Sequence, residues 1–406
     1  MNTYIFLTFS IIGVGGSQIY TRNKALFLKE HGWNVIIVSA LEGEILIEDL
    51  KLYESCIIPE LRFKPHIYSK SVTETILKKI STEISTEGDV IIESHSISLS
   101  LWGELLAQRV NGLNFVFTLE EHNNVDDATI PYLQYKLTNK SLVGITINSI
   151  SNIKGLNCRP DSFLSLPAYC NNVIEDIPNV YDIDQSAKTR VGIIGRLNKP
   201  FVKSICSQLR EVINKDPDTT YQIFFIGGGS WADIKSIRKV FDVFSNVKIT
   251  VTGFLYPIPF DLLNQIDFFI SSAGSARVPI QIGKPCVSID GYDLKPIGII
   301  GLTTDNALFR NEEKEPVKPL NCFIEEIQKW GDDSPMVARG IAKRYDYSGH
   351  LERLESCSRG NYFDINSMII PFKEILYSRI KMLIYNSVGN KLYNIIFNFA
   401  KKWKQK

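Results

Sequence analysis

The sequence predicts an α/β protein of two domains, each a parallel sheet with helical crossovers. Three observations carry that prediction. At 406 residues the chain is too long for one ordinary core. Two successive series of short apolar runs each end in glycine or small polar residues and lead into a helical pattern. Between the series, after about Tyr181, the chain turns polar through Asp182-Ile-Asp-Gln-Ser-Ala-Lys-Thr, a linker composition.

The first series begins with Tyr4 to Ile12, a continuous apolar run of the kind buried on both faces of a parallel sheet. Gly13-Val-Gly-Gly16 is a tight turn, and Ser17 is placed to cap a helix running to about His31. Gly32 stops that helix and Val35 to Val38 is the next strand. Asp89 to Ile92, Phe115 to Leu119 and Gly144 to Ile147 follow as short strands with helices between them. The second series opens with Arg190 to Ile194 ending in Gly195-Arg196, then a helix over about Lys203 to Asn214. Gln222 to Ile226 ends in Gly227-Gly-Gly229, and Val247 to Thr252 ends in Gly253; Phe268 to Ser271 and Pro285 to Ile289 complete the set. Right-handed βα alternation makes both units Rossmann-like, with a cleft expected between the carboxyl ends of the two sheets. The expected divisions are 1–182, 188–365 and a helical tail 366–406.

Composition excludes several classes. Hydrophobic residues at 44% and charged residues at 22% describe an ordinary globular chain, and a net charge of +1 gives no reason to expect nucleic acid. The seven cysteines form no C-x-x-C pair or metal-spaced Cys/His cluster, so reduced thiols and no metal site are expected. The opening MNTYIFLTFSII lacks a basic n-region and runs into turn chemistry, so it reads as a core strand rather than a signal peptide. No apolar stretch is long enough for a transmembrane helix.

Four motifs carry chemistry. Gly13-Val-Gly-Gly-Ser17, with Gly15, Gly16 and Ser17 at its end, lies between strand and helix, where glycine backbone and a helix N-terminus suit an anion. A dinucleotide site fits poorly, because the third glycine is missing and the second strand ends Val38-Ser39-Ala40 without a ribose-binding carboxylate; a plain connecting turn fits the same residues. Gly195-Arg-Leu-Asn-Lys-Pro-Phe-Val-Lys203 puts Arg196, Lys199 and Lys203 at a strand end, cations suited to neutralising a diphosphate leaving group, or else solvated surface charges. Ser271-Ser-Ala-Gly-Ser275 is a second small-residue loop in which Gly274 and Ser275 offer a phosphate cradle or a structural turn. Glu120-Glu-His-Asn123 follows the strand ending at Leu119, which makes Glu121 and His122 candidates for acid/base or substrate-orienting work, and Glu93-Ser-His95 is a weaker version of the same arrangement.

In this order these elements resemble the GT-B glycosyltransferases, in particular the retaining family-4-like group that builds bacterial capsule, O-antigen and exopolysaccharide. Gly15-Gly16-Ser17 with LKEHGWNVIIV (Leu28 to Val38) is similar to that family's opening, and Gly195-Arg-Leu with its lysines to the donor-phosphate motif. Val251-Thr-Gly253-Phe254 resembles the loop near the nucleotide base, and Gly283-Lys-Pro-Cys-Val-Ser-Ile-Asp290 the strand after the donor loop. The resemblance spans about residues 1–345. It implies that Arg196 with Lys199 or Lys203 binds the donor diphosphate, that Gly274 and Ser275 cap it, that Gly15 and Gly16 face donor phosphate or acceptor, and that His122 lies near the transferred sugar. It implies a UDP-sugar as the favoured donor, used as substrate with no cofactor, and a glycan or lipid-linked acceptor. The family's acidic pair eight residues apart is missing: the matching positions are Ile270 and Val278. A catalytically inactive GT-B scaffold is therefore the second reading. A sugar-nucleotide 2-epimerase ranks third, because the opening and tail suit transferases better, and an NAD-dependent oxidoreductase last.

The tail adds a partner. Residues 371–406 carry eight Lys or Arg against Glu374 alone, a net +7 in a chain of +1. Phe372, Leu376, Ile380, Leu383 and Ile384 share one helical face, and Leu392, Ile395, Ile396 and Phe399 repeat it after Gly389. The expectation is a helix packing on protein from Met368 to about Tyr385 and an anionic membrane surface met by 391–406. A solvated basic tail is the plain alternative. The expected location is cytoplasmic, peripheral on the inner face of the cell membrane.

Overall fold

In a computed structural model the described residues are 1–403, except 52–55, 83, 85–87, 120–124, 147, 160–163, 171, 332–333, 342–344 and 358. They divide into two compact units. The first comprises Met1–Gly13, Tyr20–Tyr169 and Tyr345–Lys406; the second comprises Val14–Ile19 and Cys170–Arg344.

The first unit holds β1 (Thr3–Thr8), β2 (Asn34–Ser39), β3 (Cys56–Ile57), β4 (Val90–Ser94), β5 (Leu113–Thr118), β6 (Leu142–Gly144) and β7 (Leu164–Ser165) in the order β3-β2-β1-β4-β5-β6-β7. Every pairing is parallel. β1, β4 and β5 are buried along their whole length, as continuous apolar runs require when helices cover both faces. The helix Ile97–Val110 presses Leu99, Trp102 and Leu106 onto Ile5, Leu7 and Ile92. Trp102 donates its indole N–H to the Phe63 carbonyl at 2.8 Å, so this large ring is buried without stranding its polar atom. A second cluster joins Leu101, Val116, Leu133, Leu142 and Ile150. Each such side chain contributes about 1.5–3 kcal/mol by leaving water.

The second unit holds β8 (Ile174–Glu175), β9 (Thr189–Ile194), β10 (Tyr221–Ile226), β11 (Val247–Gly253), β12 (Ile258–Pro259), β13 (Phe268–Ser271), β14 (Cys286–Ile289) and β15 (Pro296–Ile299). Its main sheet runs β11-β10-β9-β13-β14-β15, and β8 pairs with β12 apart from it. The last strand is antiparallel to β14, against the all-parallel expectation. The connection is too short for a crossover helix. Asp290 instead closes a hairpin, accepting from the Tyr292 and Asp293 amides at 2.7 and 3.1 Å while its own amide donates to Lys295.

Other elements depart from expectation for local reasons. The first helix runs Gly16–Glu30 and places Ser17 inside it, because Ile19 N–H already bonds the Gly15 carbonyl at 3.0 Å; Gly15, not Ser17, occupies the cap position. Near the chain end one helix spans Phe372–Trp403, interrupted where Gly389 takes φ 71°, ψ 173°. The segment from Met368 does not bury its apolar face: Phe372, Leu376, Ile380 and Leu383 are all exposed. The helix rests instead on Tyr385 and Tyr393, both stacked under the Arg62 guanidinium.

Candidate functional site

In an open α/β sheet, ligands gather at the carboxyl ends of the strands where the order reverses. In the second unit that point lies between β9 and β13, since β10 and β11 follow on one side and β14 on the other. β9 ends in Gly195-Arg196, and the loop to the helix Pro200–Lys215 carries Lys199. Arg196, Lys199 and Lys203 are all exposed, Lys203 one turn inside the helix. Lys199 stands at the cap position and its side chain makes no capping bond to this helix end. The loop carrying Gly274 and Ser275 leaves the adjacent strand β13. It is tied down by Ser271, which donates to the Ile194 carbonyl at 2.6 Å, and Ser272, which donates to that of Ile289 at 2.8 Å. Ala273 sits at φ 55°, a left-handed conformation costly for any residue but glycine, and such strain concentrates at ligand loops.

The glycine triplet after β10 completes this end of the sheet. A Cβ on Gly227 would fall 2.1 Å from the Gly195 carbonyl oxygen, and one on Gly228 would fall 2.4 Å from the Phe254 ring. Only bare backbone lets the loop lie this close to both neighbours. Gly253 bridges to Gly227, and Phe254 beyond it is half exposed, an aromatic face beside the loop. The fold thus brings Arg196, Lys199, Gly274 and Ser275 to one sheet end, with Gly253 and Phe254 on its flank. Ile270 and Val278 are fully buried apolar side chains.

In the first unit the strand order reverses between β1 and β4. Gly13 follows β1 with φ 70°, its amide donating to the Glu44 carbonyl at 3.2 Å. Gly15, Gly16 and Ser17 belong to the second unit, where a Cβ on Gly16 would lie 3.6 Å from the Cys170 Cβ. Glu121 and His122 lie outside the described residues. Glu93 and His95, the weaker candidates, lie at the centre of a buried polar network. One Glu93 oxygen accepts from Tyr4 at 2.5 Å and from the Lys24 ammonium at 2.6 Å; the other pairs with His95 Nε2 at 2.8 Å. Lys24 also reaches the Tyr20 hydroxyl at 3.1 Å and His350 Nδ1 at 3.3 Å, and His350 Nε2 meets the Pro167 carbonyl at 2.9 Å.

Charge in this network is set by burial against pairing. Burial alone pushes the Glu93 carboxyl up, but Lys24 and then His95 outweigh it and hold the group far below the carboxylate range. Burial pushes the Lys24 ammonium down against the pull of Glu93. Burial and then the Lys24 charge push His350 down to about 3. That fits its contacts: a neutral ring accepts from Lys24 at Nδ1 and donates to Pro167 at Nε2. Pairing with the Glu93 carboxylate assigns the His95 proton to Nε2, and Nδ1 has no hydrogen-bond partner among the described residues. The Glu93 carboxylate thus fixes the orientation of the His95 ring. Lys24, Tyr4, Tyr20 and His350 were missed by sequence reasoning. The available signal was the phase of Lys24, on the same helical face as Tyr20 and Leu28.

No family model matches the chain, and no curated protein matches it. Solved structures do. A glycosyltransferase from Rickettsia africae ESF-5 aligns over 96% of this chain and 99% of its own at TM-score 0.59 and 14% identity. The fold is that of the GT-B glycosyltransferases. Anabaena HepE in complex with UDP-glucose aligns over 93% of this chain and 99% of its own, with TM-score 0.53 and 12% identity. A point mutant of S. aureus TarM in complex with fondaparinux, α-GlcNAc-glycerol and UDP gives the same coverages and identity at TM-score 0.52. At such identities the likeness establishes the GT-B fold of two Rossmann-like α/β units.

Proposed function

We propose that this GT-B chain is a glycosyltransferase that moves a sugar from a nucleotide-diphosphate donor, UDP favoured, to a glycan or lipid-linked acceptor in cell-surface polysaccharide synthesis. The observation that carries this reading is the sheet end of the second unit. Exposed Arg196, Lys199 and Lys203 gather there beside a helix N-terminus and the loop of Gly274 and Ser275. A departing diphosphate needs positive charge fixed in place before it leaves, and an Arg fork with backbone N–H groups meets that need without a metal. Phe254 supplies a face for the base. HepE was crystallised with UDP-glucose and TarM with UDP, which supports UDP as the nucleotide. Catalytic work is assigned to Glu121 and His122, with retention of configuration, and Glu93 with His95 stands as the second acid/base candidate. The proposed setting is the cytoplasmic face of the membrane; no helix among the described residues is long and apolar enough to cross one.

A scaffold that binds a nucleotide sugar without turnover is the second reading, favoured by apolar Ile270 and Val278 at the positions of the acidic pair. One panel tests both: UDP-, GDP- and CMP-sugars, scored for thermal stabilisation and for sugar release with and without a lipid-linked acceptor. The transferase reading expects stabilisation by one nucleotide class together with release. Binding without release under every condition leaves the scaffold. Arg196→Ala is expected to abolish the stabilisation while leaving the ligand-free melting point near the parent's, because the side chain is exposed. Undiminished stabilisation would overturn the diphosphate assignment.

A further inference from the structure

The helix beginning at Phe372 is built inside out. At about 100° per residue, Phe372, Leu376, Ile380 and Leu383 fall within about 80° of one another. They are exposed by 77%, 48%, 45% and 61%. The opposite side faces the first unit, where Tyr385 meets Phe63 edge-on at 6.0 Å and lies under the Arg62 guanidinium at 4.6 Å. The protein therefore holds the helix by a largely polar and aromatic side and turns its aliphatic stripe to solvent. Exposed apolar residues scattered singly are ordinary; four on consecutive turns of one helix form a patch.

Charge selects what covers it. Exposed Lys373 and Arg379 border the stripe on either side, and the one acid of the segment, Glu374, lies on the protein-facing half. A second copy of this chain would set Lys373 and Arg379 beside the stripe against the same two cations. An anionic lipid surface answers both properties, taking the aliphatic side chains below the headgroups and the flanking cations among the phosphates. We propose that the Phe372–Leu383 face docks on anionic bilayer, lying in the interface with the rest of the first unit above it. This surface differs from the basic stretch 391–406 expected from sequence, and it holds whether or not the chain transfers sugar.

The test is flotation of the full-length protein with vesicles of phosphatidylcholine alone and of phosphatidylcholine with about one-third phosphatidylglycerol. The parent is expected to bind the mixed vesicles at least about tenfold more strongly than the neutral ones, falling with added salt. Phe372→Ser with Leu383→Ser is expected to weaken binding about tenfold at an unchanged melting point, and Lys373→Glu with Arg379→Glu to remove the preference for anionic lipid. Neutralising Lys401, Lys402 and Lys404 in the full chain is expected to leave the Ser variant's deficit in place. Should the Ser variant fold poorly, Phe372→Trp provides a second measurement, its added emission being quenched by brominated lipid. Three results overturn the proposal: a parent that ignores anionic vesicles, a Ser variant that binds like the parent, or a Phe372→Trp emission that brominated lipid leaves untouched. A Ser variant that converts a dimer to a monomer without altering vesicle binding assigns the stripe to self-association instead.

Discussion

His350 offers a test of the buried network that needs no substrate. Its side chain is almost fully buried, and Lys24 lies 3.3 Å from Nδ1, so a proton on this ring would set a second cation against the first. Burial and that charge push it down to about 3, against about 6.5 for a solvated imidazole. The sign follows from linkage. With the folded value depressed, the unfolded chain binds more protons between the two values, so stability rises with pH through this window and is lost as pH falls below about 6.5. The gap sets a ceiling of about 5 kcal/mol, reached only near the folded value, and about 2 kcal/mol of it is lost by about pH 5. Carboxylates titrate mostly below about pH 5, outside the range scanned below, and His66, pushed down to about 4 by burial and by Lys64, acts in the same direction. The assay is urea unfolding at intervals from pH 7.5 to 5 on the parent, His350→Gln and His66→Asn. His350→Gln is expected to flatten the dependence by about 2 kcal/mol over that range, whatever its effect on absolute stability. An undiminished slope in that variant would refute the neutral, buried imidazole.

Further predictions follow from single contacts. Gly227→Ala forces a methyl against the Gly195 carbonyl and should cost at least about 2 kcal/mol in chemical denaturation, while also weakening stabilisation by UDP, because both loops at that sheet end must shift. Lys136→Met strands the buried Glu104 carboxylate and should cost about 3–5 kcal/mol; adding Glu104→Gln should recover part of it, which a double-mutant cycle measures. Ser230 caps the helix Trp231–Phe241 in a reciprocal box with Asp233, so Ser230→Ala should lower the unfolding free energy by about 1 kcal/mol in urea titration.

The sheet end proposed to take the donor stands out in the sequence because its signals are local. A strand that ends in glycine and runs into Arg, triple glycine or a serine-rich loop is visible within ten residues, and the parallel order then brings the three loops together. The network around Glu93 is the opposite case. Lys24 reaches a carboxylate 69 positions away and a ring 326 positions away, so no window of sequence contains it. Read along the chain, Lys24 is one lysine in a helix with polar neighbours; only the packing of that face onto β4 makes it a buried charge. The tail lies between these extremes. Periodicity identified the stripe of Phe372, Leu376, Ile380 and Leu383, but a helix has two sides. Which side meets protein was settled by Tyr385 and Tyr393 on Arg62, contacts more than three hundred residues apart in sequence.

The missing acidic pair takes on a different meaning once positions 270 and 278 are seen in place. Ile270 lies within β13 and belongs to the apolar cluster on one face of the sheet, while Val278 ends a short turn and belongs to the cluster on the other face. Neither is a solvent-facing position. A glutamate at 278 would enter a fully buried site and destabilise the unit before it could reach a sugar hydroxyl. The loop from Ser271 to Gly283 is instead two successive short turns, pinned by the hydroxyls of Ser271 and Ser272 and bent at Ala273. Under the proposed function, contacts to a donor sugar would have to come from that loop's backbone and hydroxyls or from outside it. Restoring two acids by counting along the sequence would not test activity, whereas the nucleotide-sugar panel does.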